Sequence, residues 1–457
     1  MTVTDDLVQR AKRFATEAHR RIDHRRKYTK QPYDVHLAAV AKTVAGVTDD
    51  AEMVAAAWLH DTVEDTPATI QDIEDEFGHG VAELVAGLTD VSRSSDGNRA
   101  ERKAIDREHT AASPVRAKTV KLADLIDNCT DITDNDPQFA RIFLAEMDAL
   151  LSVLADADEG LYRRARRTHR QCSEQLAAST STSASGTTTH DAPRRELEPT
   201  QQHALRLFLE AFTAHDISTP LRSFDAERPV APVTETMDTL ALDVVAVRID
   251  GSAAGYLRRG DAAGGSCGEG MRRFARGQVV AGEAPLSDVV QVLTRHEYCF
   301  VSLLGEVVAV IRRGDVNNPI VRMWLFGIIT IVEMTVSQMI RTTYPDDSWQ
   351  PFISAGRLEK AMSFHEERIR RNRPCDLLDC LQLSDKGQIV IQDSGMLEWM
   401  GVSAKSAGKQ RIKELESLRN NLAHGQDIAA HDWAQIARMS HRVEDILGFA
   451  QAHEPGD

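Results

Sequence analysis

The sequence predicts a multidomain chain: an all-α bundle first, a small α/β part in the middle and a mostly α-helical part at the end. Three observations support this division. Apolar residues recur at spacings of three and four through residues 1–176, which is the period of a helix. A stretch of small polar residues, 177–200, interrupts the chain, and the segment 201–320 then contains a duplicated strand-turn-strand pattern. Between 321 and 457 the helical period returns.

The composition is ordinary for a globular protein of a reducing compartment. The chain has 457 residues and a formal net charge of −15, which argues against a generally basic surface that coats nucleic acid. Its six cysteines form no CxxC pair, and the N-terminus lacks the apolar core of a secretion signal. The most apolar run, MWLFGIITIVEM, contains Glu333 and is shorter than the roughly 20 residues of a membrane span. We therefore expect a cytoplasmic protein without a membrane segment, in which this run is a buried helix.

The segment 177–200 is predicted to be a flexible linker. It is rich in Ser, Thr, Ala, Gly and Pro and has almost no large apolar residue, so it cannot bury enough surface to offset its ordering entropy. After it, we expect a leading helix and then the duplicated pattern.

The duplicated pattern consists of two runs that end in Arg-Arg-Gly-Asp. In each copy a glycine, Gly251 or Gly305, precedes the closing aspartate, Asp261 or Asp315, by ten residues (261 − 251 and 315 − 305). The copies are 54 residues apart (315 − 261). An apolar run, a turn at glycine and a second apolar run predict a β-hairpin that occurs twice.

The last part is predicted to be helical with one exception. IKELESLRNNLAHG is amphipathic and ends at Gly425, a residue type that commonly terminates helices. LSDKGQIVIQDSG, which begins at Leu383, predicts a short β-hairpin instead.

The stretch HDTVEDT, residues 60–66, is the strongest candidate for chemistry. The chain contains four His-Asp pairs, but only this one has an upstream histidine, a downstream aspartate within KLADLIDN and an acidic pair one helical turn later. Two imidazoles and two carboxylates form a mixed nitrogen and oxygen donor set that suits Mn²⁺ or a similar divalent ion. The donors are His36, His60, Asp61 and Asp124. The alternative is that these residues are ordinary capping or core polar groups.

The sequences RRKYTKQPYDVHLAAVA, WLHDTVEDT and VKLADLIDN resemble the three signature blocks of the HD-superfamily hydrolase domain in RelA/SpoT-type alarmone enzymes. The resemblance implies an all-helical domain that holds one Mn²⁺ and removes the 3′-pyrophosphate of (p)ppGpp. It also implies that Glu64 and Asp65 orient and deprotonate the attacking water. The substrate-contacting positions that it implies are Arg26, Lys27 and Asn128. The segment RRIDHRRK departs from the family, which usually has a His-x-Gly-Gln stretch there.

The duplicated hairpin resembles a pair of cystathionine-β-synthase (CBS) domains, which commonly bind adenine nucleotides between two copies. The resemblance implies that Asp261 and Asp315 contact a ribose and that Arg258 and Arg312 suit a phosphate. The alternative is that the repeat serves only as a dimerisation module.

RNNLAHG, residues 419–425, resembles the Arg-x₄₋₆-His motif of HEPN-superfamily ribonucleases. The resemblance implies that Arg419 stabilises a phosphoryl transition state and that His424 acts as a general acid or base on RNA. HEPN domains with this motif act as dimers, so we expect a homodimer. The alternative is a surface histidine at a helix end.

These resemblances predict four segments. An HD-superfamily phosphohydrolase domain spans 1–176, a linker 177–200, a CBS pair with a leading helix 201–320 and a HEPN-like helical domain 321–457. Our first hypothesis is a Mn²⁺-dependent nucleotide pyrophosphohydrolase that is regulated or dimerised through the CBS pair. The second is a ribonuclease effector in which the other parts sense or clear a nucleotide signal, as in stress or phage defence. The third is a nucleotide-sensing scaffold without catalysis.

Overall fold

The computed structural model describes residues 3–22, 24–182, 211–261, 264–373, 375–399, 405–428 and 436. The chain divides into two compact units. The first unit contains residues 1–188, 218–284 and 288–312, and the second contains 189–217, 285–287 and 313–457. The described part of the first unit comprises a helical bundle and a β-containing repeat.

The described bundle consists of ten α-helices, which confirms the all-α prediction for this part of the chain. They are α1 (Val3–Arg21), α2 (Asp34–Ala45), α3 (Ala51–Leu59), α4 (Thr62–Asp65), α5 (Ile70–Phe77), α6 (His79–Leu88), α7 (Arg99–Ala112), α8 (Val115–Asn135), α9 (Pro137–Leu151) and α10 (Glu159–Thr182). The last helix continues into the segment that was predicted to be a linker from residue 177. The rest of that predicted linker lies outside the described residues.

Local signals fix where the central helices of the bundle begin. Asp50 caps α3 by accepting hydrogen bonds from the backbone N–H groups of Glu52 and Met53. Thr69 and Asp72 form a capping box at the start of α5. Helices α3 and α8 pack in the centre, and their apolar faces belong to one continuous core with α2 and α6. This arrangement brings the ends of α2 and α3 against the middle of α8.

The described repeat contains two four-stranded sheets of matching design. Its elements are β1 (Thr219–Pro220), β2 (Ser223–Asp225), α12 (Val230–Thr239), β3 (Val244–Ile249), β4 (Ser252–Arg258), β5 (Arg272–Arg273), β6 (Val279–Ala281), α13 (Leu286–Arg295), β7 (Tyr298–Leu303) and β8 (Glu306–Arg312), preceded by α11 (Ala214–Ile217). The sheets have the orders β2-β3-β4-β5 and β1-β8-β7-β6. In each, a parallel pair is followed by an antiparallel hairpin. We refer to residues 218–284 and 288–312 as the repeat module.

The duplication in the sequence corresponds to a duplication in structure. The hairpins turn at Gly251 and Gly305, which both have positive φ, and each strand pair shifts register at an equivalent place, Val247/Arg248 and Val301/Ser302. Aromatic residues of both copies meet in a shared core, where the rings of Tyr256 and Phe300 are 4.8 Å apart. The leading helix predicted before the repeat falls mostly outside the described residues.

The described part of the second unit is largely helical. Its longer elements are α14 (Pro319–Thr343), α15 (Ala355–Arg370), α16 (Leu383–Val390), α17 (Ser394–Trp399) and α18 (Lys405–Ala423). The β-hairpin predicted from Leu383 onward is wrong, because this segment forms α16. A capping box between Gln382 and Asp385 starts that helix, and its Gly387 packs against Ile412 of α18.

The apolar run around Glu333 lies in a longer helix than the sequence analysis assumed. Helix α14 has 25 residues and is the one described helix that is long and apolar enough to cross a membrane. One face, including Trp324 and Ile328, is buried within the second unit, and Glu333 pairs with Lys386 at 2.8 Å. The core helix of a soluble protein passes the same test of length and composition.

Candidate active site

Three segments of the bundle place the predicted metal ligands. His36 lies in the first turn of α2, and Asp124 lies in the middle of α8. Helix α3 ends at Leu59, so His60 and Asp61 lie between α3 and the four-residue helix α4. The chain turns at Asp61, where φ is −97° and ψ is −1°. HDTVEDT is therefore a helix end and a short new helix, not one continuous helix.

Atoms of all four predicted ligands lie close together around the Nε2 atoms of the two histidines. The Nε2 atoms of His36 and His60 are 3.2 Å apart. Asp61 Oδ2 lies 3.4 Å from the His36 Nε2 atom and 3.1 Å from that of His60. Asp124 Oδ1 lies 3.4 Å and 3.7 Å from the same two nitrogens. The two histidines and Asp124 are buried, so this donor set could hold a divalent metal ion within the bundle.

Neighbouring groups fix the orientation of these ligands. The Nδ1 atom of His36 is 2.7 Å from Asp127 Oδ2, and that of His60 is 2.9 Å from the carbonyl oxygen of Ala57. Each histidine therefore keeps its Nε2 atom directed at the metal position. The Tyr33 hydroxyl donates to Asp61 Oδ2 at 2.7 Å. Such outer contacts are typical of metal centres, where they fix the tautomer of the ligating imidazole.

The electrostatics of the site favour a cation. Burial alone would lower the pKa of both histidines, but the nearby carboxylates raise the pKa of His36 to about 11 and that of His60 to about 9. Burial likewise opposes ionisation of Asp61 and Asp124, yet His60 beside Asp61 and Lys121 beside Asp124 hold the pKa of each carboxyl well below its usual range. The negative charge of the carboxylates, which raises the pKa of both histidines, would also attract a divalent cation.

Glu64 and Asp65 lie one turn further, on α4, with side chains that solvent still reaches. Enclosure by the surrounding protein and the nearby Asp90 and Asp61 charges raise the pKa of Glu64 to about 7. Enclosure and the Asp61 charge also raise the pKa of Asp65. A carboxylate whose pKa is raised toward neutral pH is suited to proton transfer. The Oε1 atom of Glu64 accepts a hydrogen bond from the backbone N–H of Asp90 at 2.6 Å.

The predicted substrate-contacting residues lie beside this site. Asn128 donates to Asp124 Oδ1 at 2.6 Å, so it supports a metal ligand directly. Arg26 pairs with Asp127 at 2.9 Å and Asp131 at 3.2 Å, whereas the side chain of Lys27 is 70% exposed and pairs with Asp136 at 3.6 Å. The structure therefore places Asn128 against the predicted ligand Asp124 and Arg26 against Asp127, the residue behind His36, and leaves Lys27 at the surface.

A second group of potential ligands adjoins the first: His19, His24 and Asp65. The Nδ1 atoms of the two histidines are 2.9 Å apart, and their rings are nearly parallel with centroids 5.1 Å apart. The distance between the nitrogens is that of one N–H···N hydrogen bond, in which each nitrogen is directed at the other. Burial, then the His24 charge, lowers the pKa of His19 to about 3, so that imidazole is neutral near pH 7. We interpret the pair as a structural contact.

The residues predicted to contact a nucleotide lie in the two copies of the repeat and directly after the second copy. In the first copy of the repeat, Asp261 is held by Arg258 and also by Arg272, at 2.5 Å from its Nε atom. In the second copy, Arg312 donates to the Thr219 hydroxyl at 3.1 Å. Asp315 lies in the second unit, in a short turn of helix after β8.

The motif predicted for RNA chemistry lies at the end of α18. Arg419 and His424 are both exposed, and Gly425 has φ of +68° directly after them. Arg322 of α14 donates to the carbonyl oxygens of Asn421 and Leu422 and so closes this helix end.

Sequence reasoning missed three residues that the geometry places at the centre of the site. Asp127 orients His36, Tyr33 bonds to Asp61, and Lys121 pairs with Asp124 at 3.1 Å. A signal for two of them was available, because Lys121 and Asp127 are each three residues from Asp124 on the same helix and thus share its face. Tyr33 had no such signal.

Comparison with known proteins agrees with this site. A family profile described as an HD domain matches residues 11–158. The chain is 38% identical over 135 residues to the guanosine-3′,5′-bis(diphosphate) 3′-pyrophosphohydrolase MESH1 of Xenopus tropicalis, covering 29% of this chain and 73% of the relative. It is 37% identical over 128 residues to the bifunctional (p)ppGpp synthase/hydrolase SpoT of Escherichia coli K12, covering 27% of this chain and 18% of that protein.

A solved structure described as a metazoan ortholog of SpoT that hydrolyzes ppGpp is 32% identical, with a TM-score of 0.33. It covers 37% of this chain and 96% of that chain. The HD-domain profile covers residues 11–158 of the bundle, which include all four predicted metal ligands but not α10. The bundle is thus a metal-dependent phosphohydrolase domain, and through it the chain belongs to the HD-domain family of guanosine-3′,5′-bis(diphosphate) 3′-pyrophosphohydrolases.

Proposed function

We propose that this chain is a cytoplasmic, Mn²⁺-dependent 3′-pyrophosphohydrolase of (p)ppGpp or a closely similar guanine nucleotide. The observation that supports this most directly is the close grouping of ligand atoms from His36, His60, Asp61 and Asp124, with the exposed carboxylates of Glu64 and Asp65 one turn further. The names of the relatives supply the substrate class.

Different residues of the bundle have different roles in hydrolysis. Asp127 and the Ala57 carbonyl keep both imidazoles in the ligating tautomer. Glu64, with its pKa raised to about 7, accepts a proton from the attacking water, and Asp65 assists in orienting that water. A bound Mn²⁺ would be held by the four ligands and would supply a water activated near neutral pH. The reaction consumes one water and separates the 3′-pyrophosphate from the guanosine diphosphate.

The side chains predicted to contact the substrate have different roles. Lys27 is exposed and its described ion pair is long, so its ammonium can turn toward a pyrophosphate. Arg26 already bridges Asp127 and Asp131, and we propose that it contacts substrate while it positions Asp127. Asn128 acts on the substrate side of Asp124.

The test is hydrolysis of ppGpp by the purified full chain in the presence of Mn²⁺. We expect release of pyrophosphate from the wild type and none from Asp61→Ala. Asp216→Ala is the matched control, since Asp216 belongs to another His-Asp pair and accepts hydrogen bonds from Thr213 in an exposed turn. The proposal fails if the wild type releases no pyrophosphate, or if Asp61→Ala is as active as the control.

We also propose that the repeat module is a CBS pair that binds an adenine nucleotide and regulates the hydrolase. The two matched sheets with a shared aromatic core support this. The predicted contacts are Arg258 and Asp261 of the first copy, Arg312 of the second copy and Asp315, which follows it. Thermal-shift titration with ATP and AMP tests the proposal, with Asp315→Ala as the variant. A nucleotide-dependent shift that Asp315→Ala leaves unchanged would remove Asp315 from the site.

A second candidate function is an RNA-cleaving HEPN-like dimer formed by the C-terminal helices. The exposure of both Arg419 and His424 favours it, because a catalytic pair must reach its substrate. We expect RNA cleavage that is lost in His424→Ala. His169→Ala is the control, since that histidine belongs to a second Arg-x₄-His match in α10 but bonds to the Leu144 carbonyl at 3.0 Å. If His424→Ala and His169→Ala cleave RNA equally well, His424 has no catalytic role. If the chain also leaves ppGpp intact, a nucleotide-sensing scaffold is the remaining hypothesis.

A further inference from the structure

The loop Asp90–Asp96, between α6 and α7, contacts both Glu64 and the repeat module within the first unit. At its beginning, the backbone N–H of Asp90 donates to Glu64 Oε1 at 2.6 Å. The Asp90 carboxylate itself pairs with Lys103 at 2.7 Å. The position of the loop backbone therefore determines where one oxygen of Glu64 is held.

Hydrogen bonds to the bundle hold the next residues of the loop in place. Buried Asp106, on α7, accepts hydrogen bonds from the backbone N–H groups of Val91 and Ser92 at 3.0 Å and 2.9 Å. Its second oxygen accepts from the Ser92 hydroxyl at 2.9 Å. Hydrogen bonds from consecutive amides to one carboxylate hold these residues, which lie outside any helix or sheet.

Hydrogen bonds to the repeat module hold the second half of the loop, from Arg93 onward. Arg93 donates through one terminal nitrogen to the carbonyl oxygens of Gly277 and Val279, at 3.1 Å and 2.6 Å. The Ser95 hydroxyl donates to Asp288 on α13. Gly277 has φ of +83°, and a Cβ at that position would lie 3.4 Å from the Val91 carbonyl oxygen. The module backbone thus approaches the loop closely and accepts its charged donor.

We propose that the repeat module positions Glu64 through this loop, with Arg93 as the positioning residue. This inference rests on the proposed function, because Glu64 matters only if the bundle hydrolyses a substrate. Arg93 is linked to Val279, the first residue of β6, and β6 is held by pairing with β7. The sheet of the module is thereby connected to Glu64 through Arg93, the loop backbone and the Asp90 N–H.

Other contacts join the bundle and the module but bypass the loop. Arg276 pairs with Glu108 of α7 at 2.6 Å, with both side chains well exposed. Surface pairs of this kind contribute little to stability. Arg276→Ala is therefore a matched control: it removes an arginine that joins the same two parts and leaves the loop contacts in place.

The experiment compares Arg93→Ala with Arg276→Ala in the full chain. We expect Arg93→Ala to lower kcat for ppGpp by about tenfold or more with little change in KM, since small displacements of a reacting group cost up to about a hundredfold. The melting temperature should match that of Arg276→Ala. Hydrogen exchange at the amides of Asp90, Val91 and Ser92 should accelerate in Arg93→Ala only, and Arg93→Lys should retain part of the activity that Arg93→Ala loses.

The outcomes separate this inference from the proposed function. Unchanged kcat in Arg93→Ala, or an equal loss in Arg276→Ala, overturns it. If the wild type does not hydrolyse ppGpp, the proposed function fails, and the hydrogen-exchange data then test the coupling between module and loop by themselves. Faster exchange of the loop amides in Arg93→Ala alone supports the coupling. Unchanged exchange overturns it. If Arg93→Ala does not fold, Ser95→Ala takes its place with the same expectations.

Discussion

Replacement of Asp127 by asparagine tests whether the groups behind the ligands set metal affinity. Asp127 Oδ2 is 2.7 Å from His36 Nδ1, and the amide oxygen of the substituted side chain can accept the same hydrogen bond. The tautomer is therefore preserved and only the negative charge is lost. Charge-assisted hydrogen bonds are about twice as strong as neutral ones, which makes the expected loss about 1.4 kcal/mol, or tenfold in affinity. Solvent reaches 24% of the Asp127 side chain, so we expect the lower end of the tenfold to hundredfold range typical of such changes.

The assay is a Mn²⁺ titration against a competing chelator, followed by ppGpp hydrolysis at saturating metal. Asp131→Asn is the control, because Asp131 is the other carboxylate that pairs with Arg26 but has no contact with His36 among the described ion pairs. Loss of affinity in Asp127→Asn alone would assign the effect to His36. Equal affinities in the wild type and Asp127→Asn, or equal losses in both variants, would refute the reasoning.

Three further predictions concern the same bundle. Tyr33→Phe removes the hydroxyl that bonds to Asp61, and Mn²⁺ affinity should fall about tenfold in the same titration. Because Glu64 acts as a base only when ionised and its pKa is raised to about 7, kcat should rise as pH increases through about 7 and then level, and Glu64→Gln should abolish that rise. Leu122→Ala, at a fully buried position of α8, should lower the free energy of unfolding by about 2–5 kcal/mol in a denaturant titration.

The grouping of His36, His60, Asp61 and Asp124 was predictable because each of these residues lies in a recognisable local sequence pattern. The ligands lie in three helical segments with their own apolar patterns, and the family resemblance supplies their common role. The break after Leu59 was not predictable, since the apolar period runs into His60 without a glycine or proline. Tyr33 was missed because its partner, Asp61, is 28 residues away and only the packing of α2 on α3 brings the two together.

The wrong hairpin prediction for LSDKGQIVIQDSG, residues 383–395, shows how burial overrides propensity. The residues QIVIQ favour a strand because isoleucine and valine are β-branched. In the structure, Ile389 and Val390 are buried in a helix, and the close approach of Gly387 to Ile412 needs a residue without a side chain. The capping box of Gln382 and Asp385 departs from the usual Ser/Thr-x-x-Glu/Gln signature, so it was not a clear helix signal in the sequence.

Charge pairs also connect the repeat module to the bundle. Arg258 pairs with Asp75 of α5 at 2.7 Å, and Arg272 pairs with the neighbouring Glu74. Arg258 and Asp75 are separated by 183 residues in the chain, so no local pattern indicated their contact. A phosphate at the two terminal nitrogens of Arg258 that now contact Asp75 would displace that carboxylate, and its binding free energy would include the loss of that contact. In that case the two anions compete, so a change that stabilises the pairing of Arg258 with Asp75 weakens phosphate binding at these nitrogens.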